Sequence, residues 1–173
     1  MRRNKFFILL AAVLLAALPG TSSAQSRCDH LQLSVGLLYE RGVDATIGWH
    51  HEMKYHNAME YFADLYLKYE EDPEAGHITK DSFWNSYRTW LVGIAYKPCV
   101  ARGRNHHGNL RLGVLAGSDT EKIIGGGTVG YEHSYALYGG WQFFFQLHCD
   151  VLMRAKDACR TGGAIGIKIP LSR

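Results

Sequence analysis

Two histidine pairs, His50-His51 and His106-His107, are the residues whose type first suggests chemistry, because neutral imidazole is the commonest metal ligand. Their spacing works against that use. Adjacent residues on a strand face opposite ways, so neither pair chelates on regular strand geometry. In a loop, His106 and His107 could converge with His77 or Asp119. The plainer reading of Arg102, Arg104, His106 and His107 is a solvated loop tip, with contact to anionic lipid headgroups or a partner protein as the functional alternative. The run Gly125-Gly126-Gly127-Thr128-Val129-Gly130 spells G-x-G-x-x-G. A dinucleotide site needs a strand before that motif and a helix opening on its last glycine. Here YEHSYALYGGWQFFF follows and alternates with period two, so a flexible loop or glycine-rich strand start fits better. Cys149 sits beside His148, but strand neighbours face apart and no acidic residue is placed to orient the imidazole. Glu60 and Asp64 share one strand face, close enough to repel unless paired. Catalytic carboxylates are the sharp reading. An interior ion-pair network with Lys68, Arg88 or Arg111 is the bland one, and it is preferred. No catalytic, metal or cofactor site is predicted, and the chain does not advertise an enzyme.

The element that positions Glu60 and Asp64 is the stretch Asn57 to Glu70, NAMEYFADLYLKYE. One parity carries Met59, Tyr61, Ala63, Leu65, Leu67 and Tyr69; the other carries Glu60, Phe62, Asp64, Tyr66, Lys68 and Glu70. That is the period of a strand with one apolar and one polar face. A helix is the rival, since Asn57 and Glu60 resemble a capping box. At the helical period, however, Tyr61, Leu65, Tyr66 and Tyr69 spread around the cylinder. About ten alternating residues edged by aromatics suit a strand that crosses a bilayer at a tilt.

The rest of the chain repeats the pattern. Leu31 to Glu40 and Ala45 to Met53 alternate around a tight turn at Arg41-Gly42-Val43-Asp44, and Lys54 to His56 turns into the Asn57 strand. After a polar loop from Glu70 to Asp81, Tyr87 to Tyr96 sets Trp90, Val92, Ile94 and Tyr96 against small residues. Lys97 to Asn109 and Asp119 to Gly127 are expected to be loops on either side of a strand from Leu110 to Gly117. Tyr131 to His148 is aromatic on one parity, with a bend or bulge expected at Gly139-Gly140. Val151 to Ala155 and Ala164 to Leu171 close the chain. The count is seven to nine strands, most simply eight: an all-β, antiparallel up-and-down β-barrel of outer-membrane type. The close at Pro170-Leu171 and Arg173 lacks the terminal aromatic of many such barrels. A soluble barrel would invert the parities, and a small one would not choose a charged interior.

Residues 1–24 read as a signal peptide: Arg2, Arg3 and Lys5, then an apolar core from Phe6 to Leu18, then Ser22-Ser23-Ala24 before Gln25. That leaves residues 25–173 as a single β-barrel domain. Three of the 19 basic residues lie in the leader, so the remainder carries 16 of each sign and has no excess basicity for nucleic acid. Cys28, Cys99, Cys149 and Cys159 fit no zinc motif. Export makes disulfides permissible, and the sequence does not choose among the three complete pairings or unpaired thiols.

Long segments of this chain, AQSRCDHLQLSVGLLYERGVDATIGWHHE, YHNAMEYFADLYLKYEEDPEAGHIT, YRTWLVGIAYKPCVARGRNHHGNLRLG, SYALYGGWQFFF and AIGIKIPL, resemble the TraO proteins of Bacteroidetes conjugative transposons. The resemblance covers essentially all of the chain after the leader and carries no catalytic signature. It implies an exported component of the mating apparatus that moves transposon DNA between cells. The expected place is the outer membrane, with other conjugal transfer proteins and outer-membrane lipid as partners and no direct contact with nucleic acid. The alternative is a soluble periplasmic β-barrel or β-sandwich that binds within the same apparatus.

Overall fold

A computed structural model describes residues 28–39, 41–69, 87–119 and 121–171. The leader, the polar loop after Glu70 and His77 lie outside the described residues. Alternation of apolar and polar side chains makes strands of nearly everything else. These are β1 (Asp29–Leu38), β2 (Gly42–Glu52), β3 (Ala58–Lys68), β4 (Arg88–Lys97), β5 (Cys99–Arg102), β6 (His106–Ser118), β7 (Ile123–Ala136), β8 (Gln142–Met153) and β9 (Cys159–Pro170). All neighbours are antiparallel, in the order β4-β3-β2-β1-β9-β8-β7-β6-β5. The sheet closes where β4 also pairs with β6, from Trp90 opposite Ser118 to Tyr96 opposite Leu112. Short β5 continues the line of β4 past Pro98 and lies along the same edge of β6, with Arg102 opposite His107. Eight walls therefore form one closed barrel. Closure matters because an open sheet edge in hydrocarbon would leave backbone N–H and C=O groups without partners.

Asp29 and Pro170 mark the near rim; the ends of β1, β3, β6 and β8 mark the far rim. On every wall the polar parity points inward. Gln32, Glu60, Arg111, Glu132, Gln146 and Lys168 are buried, while Val35, Ile47, Val92, Val114, Leu147 and Ile165 are exposed on the outside. Inward rings are accommodated by glycines on the neighbouring strand. Phe62 is paired with Gly93, where a Cβ would stand 2.4 Å from Phe62 Cζ and 2.7 Å from the Val114 carbonyl oxygen. Phe144 lies in the same way over Gly166. The largest apolar cluster of the interior, Phe62, Leu91, Ala95, Leu115, Ile124 and Leu152, gathers on β3, β4, β6, β7 and β8, mostly toward the far half.

The two near-rim turns share one geometry. Met53 N–H donates to Asn57 O and Leu137 N–H to Trp141 O, each at 2.7 Å. In the second turn, Gly139 and Gly140 take φ of 76° and 84°; in the first, Tyr55 and His56 take 64° and 59°. The left-handed region is open to glycine and costs other residues on the order of 1–2 kcal/mol each. Arg102 holds Tyr55 there by donating to its carbonyl at 2.8 Å and lying over its ring. His56 is held by Glu52 at 2.5 Å and by stacking on His107 at 4.8 Å between ring centroids.

Four sequence expectations are corrected. Val151 to Ala155 is not a further strand, because Val151 to Met153 end β8 and a turn follows. The stretch from Lys97 to Asn109 is a hairpin of β5 and β6 turning at 103–105, not a loop. Asp119 to Gly127 contains only a short turn, because Ile123 already pairs with Ser118. Partial burial would raise the Asp119 carboxyl, but N–H donors from Lys122 at 2.8 Å and Glu121 at 3.3 Å and the Tyr87 hydroxyl at 3.2 Å hold it below the usual aspartate range. Gly139-Gly140 form a hairpin turn that divides the aromatic run into β7 and β8, rather than a bend within one strand.

Substituting Gly93→Val should overpack the site against Phe62 and cost about 1–3 kcal/mol. The check is the urea midpoint of the barrel refolded in detergent, read as the fraction that keeps its shifted mobility on unboiled gels.

Candidate functional site

The inward charges of β3, β4, β6, β7 and β9, with Gln32 of β1, converge in the near half of the barrel. Glu132 on β7 accepts from Lys97 and from Lys168, each at 2.6 Å. Lys97 also lies 3.0 Å from Glu60. Glu60 in turn accepts from Arg111 Nε at 2.9 Å and from Gln32 Nε2 at 3.0 Å. Lys168 reaches Ser134 Oγ at 3.0 Å, and Arg111 Nη1 reaches Thr128 Oγ1 at 2.9 Å. Arg111 also spreads over the Phe62 ring, 4.2 Å from its centroid. The five charged side chains are 0–4 % exposed. Charges taken out of water are tolerated only when paired and hydrogen-bonded, and here each carboxylate meets two cations.

Toward the far rim a second polar layer follows. Asp64 accepts from Thr46 at 3.0 Å, and His148 reaches across the lumen to Asp44 at 3.7 Å. The inward position Gly36 on β1, beside Asp44, carries no side chain to fill this crossing. A Cβ on Gly36 would fall 2.2 Å from Asp44 Oδ1. At the far rim Arg160 donates to Thr89 Oγ1 at 2.7 Å and lies 4.0 Å from the Tyr66 ring centroid. Lys68 pairs with Asp157 at 2.8 Å, beside Tyr66. From rim to rim the lumen is filled with side chains, as expected of so narrow a barrel.

The candidates singled out in the sequence distribute as follows. Glu60 and Asp64 both point inward, and Arg111 is the partner of Glu60, as the ion-pair reading expected. Lys68 instead meets Asp157 in the turn after β8, and Arg88 is exposed at the far rim. Lys97, Glu132 and Lys168 were not singled out. Parity could have found them, since Lys168 shares its face with Ala164 and Gly166, opposite Ile165, Ile167 and Ile169. His50 is buried inside and His51 lies on the outer parity against Asp29 at 2.5 Å, so the pair does not chelate. His107 points inward, while His106 stacks on His133 at 5.1 Å. Asp119 lies at the opposite end of β6 and cannot join them. Among the described residues, no three His, Cys, Asp or Glu side chains are arranged to hold a metal ion. Gly125 to Gly130 run within β7, with no helix after them. His148 and Cys149 face opposite ways, inward and outward.

The outer surface is of a different character. Leu37, Leu65, Val92, Leu112, Val129 and Ile165 make it apolar around the circumference. Among the described residues, Asp, Glu, Lys and Arg occupy outward positions only at or beyond the rims, as with Asp29, Arg88 and Arg102. Aromatic residues gather toward the near rim: Trp49 stacked on Tyr61 at 5.6 Å, then Tyr96, Tyr135, Trp141, Phe143 and Phe145. Tyr39, Tyr69 and Trp90 stand toward the far one. An apolar band flanked by aromatics is the outside of a lipid-embedded barrel.

Removing one cation from the buried cluster should cost far more than a surface change. Lys168→Met is expected to lose about 3–5 kcal/mol, because Glu132 keeps a single counter-charge. Ile165→Met on the outer wall should stay within about 1.5 kcal/mol. Both are read from urea unfolding in micelles.

No family model and no curated protein matches the sequence. Solved structures do match the fold. A de novo designed transmembrane β-barrel superposes with a TM-score of 0.57 at 13% identity, over 87% of this chain and 100% of its own. Neisserial surface protein A superposes at 0.53 with 11% identity, over 86% of this chain and 99% of its own. With its closed ladder, apolar outside and ionic inside, the chain has the eight-stranded antiparallel β-barrel fold of outer-membrane type.

Proposed function

We propose that this protein is a structural component of a conjugative mating apparatus, seated in the outer membrane and acting by assembly rather than catalysis. One observation carries the reading: an apolar wall surrounds a lumen closed by ion pairs, so the barrel can anchor but cannot pass a DNA strand. The resemblance of its long segments to conjugal transfer TraO proteins supports the choice of apparatus. The partners are then other transfer proteins, met through the rims or the outer wall, and outer-membrane lipid. A soluble periplasmic module is the weaker reading, because it would expose the apolar parity to water.

Expression with its own leader should give a protein in the outer-membrane fraction, resistant to carbonate and changing mobility on boiling. Affinity capture from donor cells after mild cross-linking should retrieve other products of the same transfer locus. Recovery from the soluble fraction would overturn the membrane reading. A membrane barrel that brings down no transfer protein, and whose deletion leaves transfer frequency unchanged, would overturn the conjugative one.

Leu65 is 44 % exposed on the outer wall, and Leu65→Arg should cost about 2–4 kcal/mol if that position meets hydrocarbon. The variant is expected to be depleted from the outer-membrane fraction, whereas a wall facing water would tolerate it.

A further inference from the structure

Two of the four cysteines meet on the outside of the closing hairpin. Cys149 on β8 is opposite Thr161, and Cys159 on β9 is opposite Val151, so the two are diagonal neighbours on one face. Their sulfurs are 3.6 Å apart. From the juxtaposition of these sulfurs across β8 and β9 we infer a disulfide-bond site, Cys149–Cys159, near the far rim of the barrel.

Topology removes the alternatives. Tyr39 N–H donates to Thr161 O at 2.9 Å, which fixes the Cys149–Cys159 level at the far rim. Cys28 precedes β1 and Cys99 follows β4, both at the near rim. At a strand rise of about 3.3 Å per residue, the length of β1 separates the two levels by roughly 30 Å. A disulfide needs Cα atoms within about 7 Å. Of the three complete pairings, two would join one rim to the other. Only the pairing with Cys149–Cys159 keeps each bond at one level. Its complement, Cys28–Cys99, would have to span β2 and β3, about three strand spacings of 4.8 Å, so those two stay thiols.

Bond formation asks the sulfurs to approach from 3.6 Å to about 2.0 Å. Cys159 is the first residue of β9 and follows the turn 154–158, where a small shift displaces no wall strand. The chemistry is thiol–disulfide exchange. The thiolate of one cysteine attacks a disulfide of a periplasmic dithiol–disulfide oxidoreductase and forms a mixed disulfide. The second thiolate then displaces the oxidant's sulfur. Two protons and two electrons leave the barrel, and the oxidant becomes a dithiol. Exposure of Cys159 leaves it accessible to such a catalyst. The product covalently clamps the hairpin whose outer strand, β9, must find β1 to close the barrel.

The test uses the full chain exported with its own leader. Outer membranes are lysed into denaturant with N-ethylmaleimide, without reductant, and digested with trypsin. Trypsin cuts after Arg154 and Lys156, so Cys149 and Cys159 leave on separate peptides, Ile123–Arg154 and Asp157–Arg160. Expected as the main species is the joined pair, lighter by two hydrogen atoms than the two thiol peptides and separated by reduction, with Cys28 and Cys99 alkylated. In Cys159→Ser, Cys149 should instead be alkylated. The inference is overturned if more than half of the two peptides carry the alkyl group before reduction, or if either is found joined to Cys28 or Cys99. The wild-type measurement decides the question even where the variant fails to assemble.

Discussion

The contact on which this structure depends is the meeting of Lys97 and Lys168 at Glu132, inside a barrel whose outside has no room for charge. A bilayer fixes the sign of the outer parity, because an ion facing hydrocarbon is costly. Each strand has only two parities, so its charges are driven inward. Once there, they must find one another across the lumen. Glu132 and Glu60 do this by each serving two cations, and Gln32 and Ser134 take up the hydrogen bonds that remain. The cluster draws on β1, β3, β4, β6, β7 and β9. Its geometry therefore exists only when the sheet has closed, so that closure and charge pairing support each other.

Small residues make that pairing possible. Gly36, Gly93 and Gly166 leave inward space that Asp44, Phe62 and Phe144 occupy from neighbouring walls. Length outside and volume inside are thus set by the same alternation: large apolar residues outward, and a mixture of glycine with long polar side chains inward. The near-rim turns show the same economy of geometry. Two hairpins adopt one shape, with glycines in one case and with Tyr55 and His56 held by Arg102, Glu52 and His107 in the other.

Most of the architecture was legible because period two is a property of single strands, and each strand is read alone. Asn57 to Glu70 declared which face was outer wall and which was lumen before any neighbour was known. Partner choice within the lumen was far less legible. Lys68 shares the inward parity of Asp64 yet turns to Asp157, because strand length and shear decide which levels coincide, while Arg88 shares the outward parity of Trp90 and Val92. The β5–β6 hairpin was hidden by composition: Arg102, Arg104, His106 and His107 look like a loop, while the pairing of Cys99–Arg102 with β6 is too short to show alternation. The turn at Gly139-Gly140 was hidden because aromatic residues continue on both sides of it.

The filled lumen has an electrical consequence. An ion travelling between the rims would meet Lys168 and Lys97, then Arg111, then the Asp44 and Asp64 layer, and finally Arg160 laid over Tyr66. Fixed charges of both signs line this route, Glu132 and Glu60 among the cations, and the side chains that carry them pack across the lumen. In circuit terms, a lumen so filled has the character of an insulator, not of a wire.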